Sequence, residues 1–218
     1  MTRVIFFDAA GTLFHLPRGV GWHYRDVASR HGADLDEALV NAAFRSAWKA
    51  MPPLHETRTH RDDDERGWWR ELVFNVLGDL RAGRELNRDA YFEELWSEFT
   101  KPGVWALYPE IIGVLSGLRG RFRLGVISNF DSRLRKILPQ LGIAEFFEDL
   151  ILSGEVGAEK PSPHIFAEAL RRLEIEPGEA LHAGDEPKAD WRGAAAAGMR
   201  VFELNRPENS LRDLFALL

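Results

Sequence analysis

Asp8 closes the apolar run RVIFFD (3–8) and opens a turn through Gly11 and Thr12. Ser128 and Asn129 close a second apolar run, FRLGVISN. Gly184 and Asp185 close a third, EALHAGD, and Asp190 follows shortly after. Lys160 stands in GAEKPSP, just ahead of a helical pattern. A carboxylate, a hydroxyl–amide pair, an ammonium and a second pair of carboxylates are the groups that phosphoryl transfer needs. A carboxylate can attack phosphorus and form an acyl phosphate, dividing one difficult step into two. Two carboxylates from different strands can hold Mg²⁺, which prefers oxygen ligands and keeps several waters. The ion neutralises phosphoryl oxygens and keeps a nucleophilic carboxylate from repelling its own substrate. Ser128 and the backbone beside it can donate to those oxygens, and Lys160 offsets their charge.

These residues act together only if the elements carrying them converge. The run 3–8 has the length and continuous apolar character of a buried parallel strand. From about residue 20 to residue 100 the texture is helical, with four amphipathic stretches and no strand among them. Beyond Pro102 and Gly103, strand and helix patterns alternate to the last residues, SLRDLFALL. Such alternation predicts an α/β fold with a doubly wound parallel sheet covered on both faces. The first strand needs neighbours, so it belongs with the later strands. Residues 1–16 and 101–218 are therefore expected to form the α/β core, and residues 17–100 an inserted helical cap. In open α/β sheets ligands bind outside the carboxyl ends of the strands, which is where Asp8, Ser128 and Asp185 stand.

The order D-x-x-G-T-L, then VISN, then EKPSPHIF, then GDEPKAD, resembles the haloacid dehalogenase-like (HAD) hydrolase superfamily. The early helical insertion is similar to that family's type-one cap. RGWWRELV and VISNFDSRL further resemble the subgroup named after the rhythmically expressed gene two product. The resemblance implies a Rossmann-like core and, most often, a Mg²⁺-dependent phosphatase acting on a small phosphorylated molecule. It makes Asp8 the nucleophile, Ser128 the phosphoryl-binding hydroxyl and Lys160 the charge-balancing lysine. Thr12 and Asn129 are assigned to substrate binding, Thr12 also holding the turn by hydrogen bonding. Asp8, the main-chain carbonyl of Ala10, Asp185 and Asp190 are implied as the metal site, Asp190 as a second or outer ligand.

One position departs from the pattern. Ala10 stands where most phosphatases of the family carry a second aspartate, the general acid and base. Alanine keeps the backbone oxygen for the metal and drops the proton carrier. General acid–base catalysis contributes about 10²–10⁴-fold, so alkoxide leaving groups suffer most and aryl or acyl phosphates least. His15, on the turn entering the cap, is a surrogate acid candidate. Three other readings stand beside the phosphatase. One is a 2-haloacid dehalogenase, whose relatives work without metal and usually carry tyrosine at this position. Another is a phosphonoacetaldehyde hydrolase-like enzyme, which needs a cap lysine, and Lys49 is the only one there. The last is a non-catalytic, phospholigand-binding or regulatory protein.

Asp131 is expected to be the N-cap of its helix. Trp68 and Trp69, adjacent on a helix, are not expected both to face the cap's core; one is a candidate to line the cleft between cap and core, with packing the expected role of such aromatics. The charged stretch 55–66 reads as a solvated loop. The net charge of -6 gives no reason to expect nucleic acid or an anionic membrane as partner. No stretch approaches the ~20 apolar residues of a membrane span. With no leader pattern at the first residues, a soluble cytoplasmic protein is expected. The absence of cysteine excludes disulfides and thiolate chemistry.

Overall fold

Val4–Phe7, all four side chains fully buried, forms β1, the middle strand of a five-stranded parallel sheet. The computed structural model describes residues 1–52 and 64–218, so most of the charged stretch 55–66 lies outside the described residues. The sheet order is β5-β4-β1-β6-β7, with β4 at Arg123–Ser128, β5 at Asp149–Leu152, β6 at Ala180–Gly184 and β7 at Arg200–Glu203. β1 pairs in parallel with β4 on one side and β6 on the other. Early crossovers run to one side of β1 and later ones to the other, which makes the crevice beside β1 and β6 a topological switch point. Helices alternate with the strands: α5 (Ile111–Leu118), α6 (Leu134–Gln140), α7 (Ser153–Val156), α8 (Pro163–Arg172) and α9 (Gly193–Ala196). Ile165, Phe166 and Ala169 of α8 and Ala194 of α9 pack with Val4, Phe6, Ile127 and Ile151 of the sheet in one buried cluster.

The chain divides into two compact units, residues 1–15 with 106–218 and residues 16–105. The division falls at 105/106 rather than at the expected 100/101. Trp105 donates its indole N–H to Phe99 O at 2.8 Å and Val104 is buried, so the segment after the last helix of the helical unit stays with it. Just outside the division lies a two-stranded antiparallel ribbon, β2 (Phe14–His15) with β3 (Ala106–Leu107).

The helical unit consists of α1 (Gly19–Arg30), α2 (Glu37–Ala50), α3 (Asp64–Asp79) and α4 (Arg88–Glu98) around a core of its own. Asp36 and Asn87 cap α2 and α4 by accepting from Leu39 N and Ala90 N, satisfying orphan donors of each first turn. Contrary to expectation, Trp68 and Trp69 serve the same core. Trp68 is buried, Trp69 packs against the same cluster, and the Trp48 ring lies 5.3 and 5.7 Å from theirs. Trp48 of α2, itself exposed, places its ring against both. Among the described residues no helix is long and apolar enough to cross a membrane.

Candidate active site

β1 delivers Asp8 to the carboxyl edge of the sheet, and Asp8 N donates to Ala183 O of β6 at 2.9 Å, fixing the edge of the turn. Ser128, the last residue of β4, donates its hydroxyl to Asp8 Oδ1 at 2.9 Å. Lys160 Nζ reaches the same oxygen at 2.6 Å and Asp190 Oδ1 at 2.5 Å. Asp8, Ser128, Lys160 and Asp190 are all buried. Asp8, Asp185 and Asp190 each offer a carboxylate oxygen, and these oxygens lie within 4.8 Å of one another. Asp8, Asp185, Asp190 and Lys160, the charged groups expected at the site, are thus brought to one place.

The neighbours of these groups set their charge states. Burial opposes the Lys160 ammonium, but the charges of Asp8 and Asp190 outweigh it and raise its pKa. Burial would likewise raise Asp190, yet Lys160 and a hydrogen bond from His182 hold its carboxyl well below the usual carboxylate range. Asp185 differs: burial and then the charge of Asp8 push it up to about 6. Lys160 contacts Asp8 and Asp190 but not Asp185, so three carboxyl groups face a single ammonium. That donor set, all oxygen and short of positive charge, fits a divalent cation such as Mg²⁺. Two glycines leave room for the carboxylates themselves. A Cβ at Gly11, whose φ of +93° also favours glycine, would strike the Asp185 carboxylate, and one at Gly184 would strike that of Asp190.

Three assignments are refined by the contacts. Asn129 does not present its amide to the crevice: Nδ2 donates to Lys160 O at 2.9 Å and Oδ1 accepts from Lys160 N at 2.6 Å. It clamps the loop that aims Lys160. Thr12, fully buried, donates its hydroxyl to Asp185 Oδ1 at 2.9 Å and so orients a carboxylate rather than a substrate. Asp190 accepts from Lys160, His182 and Glu186 N, which leaves it as an outer member of the acidic group. Ala10 is exposed at the turn, with nothing on its side chain to carry a proton.

The His15 ring lies tilted against that of Tyr108, centroids 4.7 Å apart, and among the described residues no hydrogen bond joins it to the carboxylates. Lys49 is exposed near the end of α2. Asp131 is not an N-cap: α6 begins at Leu134, and Asp131 instead accepts from the backbone and guanidinium of Arg133. A residue that closes its local ion pair so early leaves the helix start uncapped.

Sequence reasoning missed three residues. His182, fully buried on β6, places Nε2 2.8 Å from Asp190 Oδ1, and burial lowers its pKa, so a neutral ring donates to the carboxylate. A histidine inside the apolar run EALHAGD was the available signal. Arg206 donates to Thr12 O at 3.3 Å and to Glu110, and its guanidinium lies 3.8 Å over the Tyr108 ring. Burial raises the Tyr108 phenol pKa, Arg206 counteracts the rise and Asp185 adds to it, which places Tyr108 within the field of the acidic group.

Residues 2–198 match the family model for haloacid dehalogenase-like hydrolases. The chain belongs to that family. It is 34% identical over 204 residues to the mouse Haloacid dehalogenase-like hydrolase domain-containing protein 3, covering 92% of this chain and 80% of that one. The Rhythmically expressed gene 2 protein of Drosophila melanogaster is 29% identical over 208 residues, covering 90% and 80%. The HAD resemblance and the subgroup resemblance therefore both hold. Among solved structures, an HAD phosphatase from Thermococcus onnurineus matches with a TM-score of 0.68 at 25% identity, covering 100% of this chain and 97% of that one. A 2-haloacid dehalogenase from Pseudomonas syringae matches with a TM-score of 0.67 at 26% identity, covering 100% and 98%. The fold is thus common to both chemistries, and the site has to distinguish them.

Proposed function

We propose that this HAD hydrolase is a Mg²⁺-dependent phosphatase that turns over a small phosphorylated molecule through an aspartyl-phosphate on Asp8. The observation that carries the reading is the cluster of Asp8, Asp185 and Asp190 carboxylates, only partly balanced by one ammonium, with Asp185 pushed up to about 6. A site that ran without a metal would have no use for that uncompensated charge, which weighs against the dehalogenase alternative. Asp8, Asp185 and the Ala10 carbonyl would hold the ion, with Asp190 behind them. When bound, Mg²⁺ supplies charge neutralisation for the phosphoryl oxygens.

The chain's own residues do the rest. Ser128 and Lys160 hold Asp8 Oδ1, while no described hydrogen bond reaches its second oxygen. That second oxygen attacks phosphorus, and the bond from phosphorus to the leaving oxygen breaks with its electron pair on the leaving group. Ser128 and Lys160 then turn their donors to the phosphoryl oxygens. Water attacks the same phosphorus, the bond to Asp8 breaks, and phosphate leaves as the water's proton passes to solvent. Ala10 gives the leaving group no proton, so the enzyme favours esters that depart as stable anions.

Phosphate release from p-nitrophenyl phosphate, with and without Mg²⁺, tests this. Mg²⁺-dependent turnover that vanishes in Asp8→Asn is expected, with no halide released from 2-chloropropionate. Metal-independent halide release would overturn the reading in favour of a dehalogenase. Saturable binding of phosphate without turnover would overturn it in favour of a phospholigand-binding protein.

A further inference from the structure

Arg206 lies just past β7, in a turn whose backbone is pinned at both ends. Leu204 N donates to Gly184 O at 3.0 Å, and Asn209 closes the turn by accepting from Asn205 N and donating to Glu203 O, both at 2.8 Å. From there the guanidinium reaches the turn that follows Asp8. It donates to Thr12 O at 3.3 Å and to the buried carboxylate of Glu110, and it lies 3.8 Å over the Tyr108 ring. Tyr108 N donates to Leu13 O at 3.2 Å, so the ring that supports Arg206 is fastened to the same turn. The Arg206 Nε is buried without a partner, so the fold bears a polar penalty to keep the guanidinium in this place.

These bonds close a ring around Asp185. Gly184, the residue before it, holds Leu204; Arg206 holds Thr12 O; the Thr12 hydroxyl donates to Asp185 Oδ1 at 2.9 Å. Gly11, on the same turn, comes so near Asp185 that a single added methyl would overlap its carboxylate. The turn therefore cannot move towards Asp185, and Arg206 keeps it from moving away. Ala10 belongs to that turn, so its carbonyl is held in step with Asp185.

We infer that Arg206 is a positioning residue that tunes the acidic group to a small cation, favouring Mg²⁺ over Ca²⁺. The inference rests on the reading of that group as a Mg²⁺ site. Mg²⁺ demands near-ideal octahedral placement at short distances, whereas Ca²⁺ accepts longer and more variable ones. Ligands carried on two segments meet the stricter demand only when the segments are held at one separation. Loosening the strut relaxes that separation, and the loss falls first on Mg²⁺. Arg206 does this through Thr12, with no direct bond to Asp8, Asp185 or Asp190 among the described residues.

Calorimetric titration of the full chain with Mg²⁺ and with Ca²⁺ tests this. Arg206→Gln is made together with Glu110→Gln, so that no buried carboxylate is left unpaired. This double variant should bind Mg²⁺ about tenfold more weakly, as is usual when a partner that orients metal ligands is lost, and its Ca²⁺ affinity should fall less. Thr12→Val, which removes the hydroxyl on Asp185, should produce a similar loss, and adding it to the double variant should cost little more. If the double variant loses the wild-type circular dichroism, Arg206→Lys takes its place. Its ammonium keeps Glu110 paired but cannot lie flat on Tyr108, and the same order of losses is expected. Unchanged Mg²⁺ binding, equal weakening of both ions, or full additivity with Thr12→Val would overturn the role of Arg206 and leave the Mg²⁺ site standing. A wild type that binds no Mg²⁺, or binds it regardless of Asp185→Asn, would overturn the site reading and this inference with it.

Discussion

Ala10 decides which half of the chemistry this site does unaided. On the proposed phosphatase reading, Ser128 and Lys160 hold Asp8 Oδ1, and Ala10 offers an alkoxide no proton. Ala10→Asp is therefore expected to raise turnover of an alkyl phosphate by about 10²-fold or more and that of p-nitrophenyl phosphate far less. Equal gains on both substrates would mean that proton transfer is not what Ala10 lacks. Asp185 gives a pH dependence. Its folded pKa of about 6 lies above the ordinary value, so the metal-free protein holds this proton more tightly than the unfolded chain. The stabilisation from that proton is complete well below the ordinary pKa and is lost as pH rises through about 6. On the proposed reading Mg²⁺ would displace the same proton, so the rise in Tm on adding Mg²⁺ should be larger at pH above that value than below it. Asp185→Asn should abolish the rise at every pH. At this scale the sequence was legible wherever a residue closed an apolar run, as Asp8, Ser128 and Asp185 do. It was illegible for Arg206, whose contact with Thr12 spans 194 positions and follows no local pattern.

Elements were legible in proportion to their burial. β1, β4 and β6 are continuous apolar runs because both faces of a central parallel strand are covered. The β2–β3 ribbon, two residues on each side, is too short to leave a period. The stretch 188–198 reads as one helix but begins as a wide π-helical turn, Pro187–Arg192, before α9. There Asp190 Oδ2 accepts from Glu186 N while its other oxygen serves Lys160, a demand of the site that helical periodicity does not encode. The glycine facing that turn is equally constrained. Gly184→Ala drives a methyl into the Asp190 carboxylate from a buried strand whose backbone has no room to retreat. A loss of about 1–3 kcal/mol in urea unfolding is expected, together with loss of turnover. Gly113→Ala is the contrasting substitution, since that glycine is exposed in α5 with nothing within 4 Å of an added Cβ. It should stabilise the protein by about 0.5–1 kcal/mol.

For the molecule as a whole, the sequence separated a helical block from an alternating one because the hydrophobic period changes between them. It did not place the second crossing, which depends on where Trp105 finds its acceptor. The two units have separate buried clusters, one around Leu72, Val76, Leu77, Tyr91 and Leu95, the other around Phe6, Ile127, Ile151 and Phe166. A cavity made in one cluster removes contacts from that cluster alone. Leu72→Ala, at a fully buried position of α3, should cost the helical unit about 2–5 kcal/mol. Where cores are separate, such a loss appears as local opening before global unfolding. Native-state hydrogen exchange should therefore quicken at amides of α1, α2, α3 and α4 while those of β1, β4 and β6 keep their protection. Mg²⁺ binding should survive the substitution, because Asp8, Asp185 and Asp190 all belong to the other unit. Equal acceleration in both sets of amides would show instead that the two clusters unfold as one cooperative body.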